Sequence, residues 1–257
     1  MEVIYITISA LFGLSFGSFL NSFEWRLKQG RSVLKERSMC PSCGMPVRWY
    51  DNIPVISFVI LGGRCRDCQV KFSWQYLAVE LWMGLVFVFI FWFEFNAVQY
   101  FSPVIFLQWF IVWVLTFIFI YDLKYMEVVD SVTLGAAGII FILGGFVFWN
   151  NFTSMLIGVA IGAGFFLLQF VISKGKWVGG GDIRIGLLMG VILGWELLLV
   201  ALWIAYVIGA IVGVGLLITK KKGMKSEVAF GTFLTVATFF TMFWGEPIID
   251  WYLRLIY

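Results

Sequence analysis

Residues 103–122 read PVIFLQWFIVWVLTFIFIYD. No charged side chain occurs from Pro103 to Tyr121, and the run then closes on an aspartate. About 20 such residues in a helix cross the ~30 Å hydrocarbon core of a bilayer. A helix can do so because it satisfies its backbone polar groups internally. This stretch sets the fold class as an all-α chain with lipid for a neighbour. The composition agrees, since 61% of the 257 residues are hydrophobic and only 13% are charged. A soluble domain carries about a quarter charged residues.

Working outward from Pro103–Tyr121, comparable runs are Val3–Phe23, Tyr76–Phe93, Val132–Trp149 and Phe152–Ile172. After a glycine-rich loop come a short segment ending near Gly194, then Leu197–Thr219 and Val228–Trp244. The expectation is a polytopic membrane protein of about eight transmembrane helices. The first run lacks a basic lead-in and a small-residue cleavage site, so it reads as a permanent span. The intervening loops Glu24–Gln75, Asp122–Ser131, Ser173–Arg184 and Lys220–Glu227 hold 17 of the 18 Lys and Arg residues. Basic loops stay cytoplasmic. The termini therefore face outward and the basic loops inward. Lys220-Lys221-Lys222 reads as a topology signal with attraction to anionic lipid. The expected division is 1–23 as the first helix, 24–75 as a cytoplasmic loop domain, and 76–257 as a seven-helix membrane domain.

Ile183 to Trp195 spans only ~20 Å of helix at ~1.5 Å per residue. Either Asp182 lies below the membrane surface or this piece is re-entrant. Irregular backbone at such depth has to be packed in protein or line a wet cavity.

The chain has no histidine. That excludes Ser-His and Cys-His nucleophile pairs and the HExxH metalloprotease helix. Acid–base chemistry falls to Asp, Glu, Lys, Tyr or Cys. A net charge of +3 is too small to argue for nucleic acid, and none is expected as a partner.

Four cysteines form Cys40-Pro-Ser-Cys43 and Cys65-Arg-Asp-Cys68. Two CxxC pairs at this separation are the pattern of a tetrahedral, structural zinc site of ribbon type. Four thiolates leave no open position for catalysis. The bland alternative is four free thiols in a reducing compartment.

Asp122 ends one span, and Asp182 closes Gly179-Gly180-Gly181-Asp182 before another. A charge beside hydrocarbon is costly and reads by default as functional. Two carboxylates brought together share a proton, so one can activate water while the other protonates the leaving group. Both could instead be helix caps. Asp130, before the next span, fits that simpler role or a supporting one. Gly179 and Gly181 let the backbone come close to a substrate strand or another helix. Glu80 lies inside the second span and is either a substrate or helix partner or a snorkelling side chain. Gly13-Leu-Ser-Phe-Gly17 reads as a helix-packing face.

At this point the chain resembles a known family. Gly17-Ser-Phe-Leu-Asn21 followed by Arg26 is similar to the opening motif of bacterial type IV prepilin peptidases. Cys40–Gly44, Trp49–Pro54 and Gly63–Cys68 resemble their zinc domain, and Glu80-Leu81 follows as in the family. Asp122-Leu123 through Asp130, Gly179–Ile183 and Phe230-Gly231 resemble the remaining motifs. Departures are Val128-Val129-Asp130 for Ile-Pro-Asp, Ala229-Phe230-Gly231-Thr232 for Pro-Phe-Gly-Pro, and Glu24 in place of an apolar residue. The resemblance implies an inner-membrane aspartyl peptidase with Asp122 and Asp182 as the catalytic pair. It would cut the short basic leader of prepilins or pseudopilins after a glycine. It would also methylate the new N-terminus from S-adenosylmethionine where that activity is present, although no GxGxxG after a strand marks a donor site.

Two other readings compete. A presenilin-like protease shares Tyr-Asp and GxGD but not the tetracysteine loop. A carrier or docking scaffold would show inverted repeats, and none is visible.

Overall fold

The computed structural model describes residues 2–32, 37–98, 102–147, 152–218 and 229–256. The polybasic run Lys220-Lys221-Lys222 lies outside them. The described residues fold as α1 (Glu2–Lys28), a 3-10 turn (Trp49–Asn52), α2 (Ile56–Ile60), α3 (Trp74–Val98), α4 (Val104–Tyr125), α5 (Asp130–Val147), α6 (Phe152–Ser173), α7 (Gly180–Ile218) and α8 (Phe230–Ile256). Two isolated β-bridges are the only extended pairing among these residues. Six of the helices are long and apolar enough to cross a membrane, and Asp130–Phe146 is a shorter apolar one. The chain is thus a multi-pass membrane protein.

Two compact units divide the chain, Met1–Trp109 and Phe110–Tyr257. In the first, α1 lies on α3. Apolar residues cannot drive this packing in lipid, so small residues that allow close approach do. A Cβ on Gly17 would stand 2.7 Å from Glu80 Cα, and one on Gly13 would run into the Met83 carbonyl. The α1 helix continues past Phe23 and carries Glu24 and Arg26, both buried, onto its last turns. Arg26 and Lys28 in the final turn suit the negative end of the helix dipole.

In the second unit, α6 and α7 meet glycine to glycine. A Cβ on Gly158 would stand 2.6 Å from the Gly190 carbonyl oxygen, and one on Gly186 would stand 2.6 Å from that of Gly162. Within α7, Gly194 has φ 68° and ψ −175°. This left-handed backbone is natural to glycine and breaks the helix into two limbs. Gly162 meets both the Gly186 carbonyl on one limb and Leu198 on the other. The second limb therefore runs back past the first. With α7 counted as two limbs, the apolar helices α1, α3, α4, α5, α6 and α8 bring the number to eight.

Candidate active site and metal centre

The loop between α1 and α3 builds two similar knuckles. In the first, Cys40 N–H bonds the Met45 carbonyl (2.9 Å), Gly44 N–H bonds Cys40, and Val47 N–H bonds Ser38. In the second, Cys65 N–H bonds the Val70 carbonyl (2.9 Å), Gln69 N–H bonds Cys65, and Phe72 N–H bonds Gly63. Each residue of one knuckle lies 25 positions from its counterpart. Both turns need a left-handed residue, supplied by Gly44 at φ 72° and by Gln69 at φ 58°.

The four sulfurs lie within 4.8 Å of one another. Two sulfurs held ~2.3 Å from a tetrahedral zinc would stand about 3.8 Å apart, and Cys40 Sγ and Cys68 Sγ are 3.8 Å apart. Burial pushes the Cys40 thiol up, but the N–H groups of Cys43 and Ser42 outweigh it and draw it down to about 7. At Cys68 the Val70 N–H pulls down, but burial and the neighbouring sulfurs push the thiol up to about 12. The donor set fits a metal ion.

In the second unit Asp122 sits one turn before the end of α4 and is 6% exposed. Its Oδ2 accepts the N–H of Thr232 at 3.1 Å, and the Gly231 N–H also bonds this carboxylate. Both N–H groups belong to the first turn of α8, whose donors have no partner within their own helix. Asp182 is 8% exposed on the first turn of α7. Its Oδ2 accepts the Gly179 N–H at 3.1 Å, and its own N–H bonds the Gly179 carbonyl at 3.2 Å. Asp182 thus caps its own helix in the manner of a capping box.

The two carboxylates are close enough to act on one another electrostatically. Among the described residues neither carries an ion pair. Their charge is met by backbone donors at two helix N-termini, which favour an anion without a cation.

The loop between α4 and α5 completes the enclosure. A Cβ on Gly181 would stand 2.6 Å from Val128 Cγ2. Arg184 pairs with Asp130 at 2.9 Å. Asp130 is half exposed, and among the described residues its carboxylate meets Arg184 rather than Asp122 or Asp182. Tyr206 on the returning limb of α7 is in electrostatic reach of Asp182, and its hydroxyl bonds Gln169. The sequence reading named Val128 and Thr232 only as departures from the resembled motifs, and it did not single out Arg184 or Tyr206. For Arg184 and Tyr206 the sequence offered no signal.

Glu80 lies in the first unit. Its Oε2 accepts the Val55 N–H at 2.8 Å. Val55 has φ 61°, a backbone conformation that a β-branched residue rarely takes.

Comparison with known proteins follows the same division. The family described as Bacterial Peptidase A24 N-terminal domain matches residues 11–94, and the Type IV leader peptidase family matches residues 109–214. The prepilin leader peptidase/N-methyltransferase of Aeromonas hydrophila is 30% identical over 97% of this chain and 94% of its own length. The proteins of that name from Legionella pneumophila and Pseudomonas putida are 29% and 28% identical, over 96% and 95% of this chain and 93% and 92% of their own lengths. No solved structure matches. With two family descriptions covering both units, and a relative aligned almost end to end, the chain belongs to the type IV leader peptidase family.

Proposed function

We propose that this protein is an aspartyl endopeptidase in which Asp122 and Asp182 form the catalytic pair. It removes the short basic leader of prepilin-like or pseudopilin-like membrane substrates after a glycine, and it methylates the new N-terminus. One observation carries the reading: two buried carboxylates, with no ion pair among the described residues, converge at two helix N-termini. A cap needs only one carboxylate at one helix, whereas here two meet within electrostatic reach of each other, where like charges favour sharing a proton. One carboxylate takes a proton from the attacking water, and the other gives one to the departing amine.

The four cysteines hold one zinc that shapes the loop and takes no part in bond cleavage. Gly179, Gly181, Asp130 and Glu80 support the architecture. The protein lies in the bacterial inner membrane with both termini outside and the site facing the cytoplasm. The bias of lysine and arginine to one set of loops supports this orientation.

A second reading for Asp182 is helix capping alone, which its bond to Gly179 N–H favours. Asp→Asn separates the two, because an amide oxygen still caps but cannot relay a proton. With purified protein and a prepilin-like peptide, product masses report cleavage and methylation together. Asp122→Asn and Asp182→Asn are each expected to lose at least the ~10²–10⁴-fold of acid–base catalysis while still inserting. Near-normal turnover in either variant removes that residue from the pair.

A further inference from the structure

Between Asp51 and Arg64 the chain carries no charged residue, although this run lies in the loop that joins α1 to α3. The run contains the short helix α2. Two contacts fix where α2 lies. At its start, the Val55 N–H bonds Glu80 Oε2 at 2.8 Å. Glu80 follows Trp74, the first residue of α3, by six positions, which is ~9 Å along the helix at ~1.5 Å per residue. Two residues into α2, the Phe58 ring packs on Trp74 with centroids 5.5 Å apart. Trp74–Asn96 is long and apolar enough to cross a membrane. The helix α2 therefore lies beside the first two turns of a span. Its sides differ. Ser57 is buried and its hydroxyl donates to the Tyr50 carbonyl at 2.8 Å, and a Cβ on Gly63 would stand 2.8 Å from the Phe58 ring. Ile56, Val59 and Ile60, at positions i, i+3 and i+4, share another face and are 56%, 67% and 73% exposed.

We propose that residues 53–61 are an interfacial anchor, in which α2 lies on the bilayer where α3 begins and sets Ile56, Val59 and Ile60 among the lipids. A contiguous apolar face marks an interaction surface. The level of this face says what covers it, because the span it lies beside is already surrounded by lipid there. A water-soluble partner would have to displace that lipid to reach it. The surroundings suit a lipid surface as well. Trp49, beside the Tyr50 that holds Ser57, and Trp74 are both exposed, and tryptophan gathers at membrane interfaces. Arg48 and Arg64 flank the uncharged run and are exposed, a placement that favours anionic headgroups. The helix is too short to hold a protein on a membrane by itself. Here α1 and α3 do that, and α2 fixes the knuckle loop against the surface. The anchor is independent of which residues cleave the substrate.

The test uses the full, unmodified chain in vesicles of phosphatidylcholine and phosphatidylglycerol. A carbene-generating label dissolved in the bilayer is activated by light, and its positions are read by peptide mass spectrometry. Residues 53–61 are expected to take several-fold more label than residues 39–47 of the first knuckle. Label on 53–61 no higher than on 39–47 overturns the anchor, whether water or another protein covers the face. A second measurement identifies the occupant. Ile60→p-benzoylphenylalanine, irradiated in the same vesicles, should gain the mass of a phospholipid, and the same substitution at Met45 should not. An adduct at position 60 to a second copy of the chain, with no lipid adduct, overturns the anchor. The paired change of Val59→Asp and Ile60→Asp should remove the bilayer label from 53–61 while α1 and α3 stay labelled and zinc content is unchanged.

Discussion

A side chain on Gly231 would stand 2.7 Å from Asp122 Oδ2 and 2.7 Å from Ile185 Cδ1. The start of α8 is therefore closed onto the Asp122 carboxylate as far as backbone allows, with α7 behind it. Gly231→Ala should push α8 off the carboxylate. Misplacement by ~1 Å can cost ~100-fold in rate. A loss of that order is expected in peptide cleavage, with zinc content and membrane insertion unchanged. Wild-type turnover would show that the carboxylate does not need this seat.

Thr232 presents the second contact. Proline, which the resembled motif carries here, has no N–H, but it is tolerated in the first turn of a helix. Thr232→Pro should therefore fold, yet it removes the donor to Asp122 Oδ2. Cleavage should fall, though less than in Asp122→Asn, and its pH profile should move while zinc content stays fixed. An unmoved profile would make Thr232 a packing residue only.

Gly181 and Val128 form a tight pair in which one partner has no room to grow. Gly181→Leu should lose most activity without loss of insertion or zinc. Gly181→Ala should lose less, and adding Val128→Ala should return part of it, because the methyl groups then have space. Rates for the two single variants and the double variant decide the point. Strictly additive losses would mean that the contact is not the cause.

The knuckles predict how the loop responds to metal removal. Zinc binding to four thiolates contributes directly to folding of such modules. A chelator should release one zinc per chain and make residues 37–73 sensitive to protease. Single Cys→Ser changes at Cys40, Cys43, Cys65 or Cys68 should do the same, without removing peptide-bond chemistry as completely as Asp182→Asn does. Gln69 holds a left-handed turn at a cost of ~1–2 kcal/mol that glycine avoids. Gln69→Gly should therefore retain zinc at least as well as wild type in competition with a chelator, and Gly44→Val should retain it less well. Four freely titrating thiols in metal-free native protein would refute the site.

Acid should weaken the same loop through Asp51. The Arg66 guanidinium holds the Asp51 carboxyl below its ordinary value through paired bonds of 2.8 and 2.6 Å. A depressed folded-state value contributes stability above the unfolded value, and that contribution is lost as pH falls through the folded one. Wild type should therefore exceed Arg66→Gln in thermal stability at neutral pH, and the gap should close below pH ~4. The effect is small because the Arg66 side of the pair is open to solvent. Comparing the two proteins at each pH cancels thiol protonation, which both share. A gap that persists at low pH would assign the effect to packing of the arginine stem.

Much of this was legible in the sequence because two signals are local. Uncharged runs announce membrane helices wherever they occur, and CxxC pairs announce their own geometry. Asp122 and Asp182 stood out because charge beside hydrocarbon is rare. What holds them was not legible. The donors from Gly231 and Thr232 lie more than a hundred residues from Asp122 in sequence and are backbone groups, which every residue has. Val128 opposite Gly181 is one valine among many apolar residues. The glycines of α6 and α7 pair across helices, and in a chain with 27 glycines no spacing marks which ones touch. The likeness of the two knuckles was hidden because glycine fills the left-handed position in one and glutamine in the other.

The break at Gly194 bears on how the chain is made. An unbroken helix of 39 residues would be about 58 Å long at ~1.5 Å per residue, nearly twice a bilayer core. The limb before the break has too few residues to be held in lipid alone, while the limb after it has enough. During synthesis the first limb therefore has no stable resting place until the second has emerged, and the two must enter the membrane as one hairpin. Asp182 would reach its final depth only after Tyr206 has been made, so the peptidase would assemble its site late, when most of its own chain is already inserted.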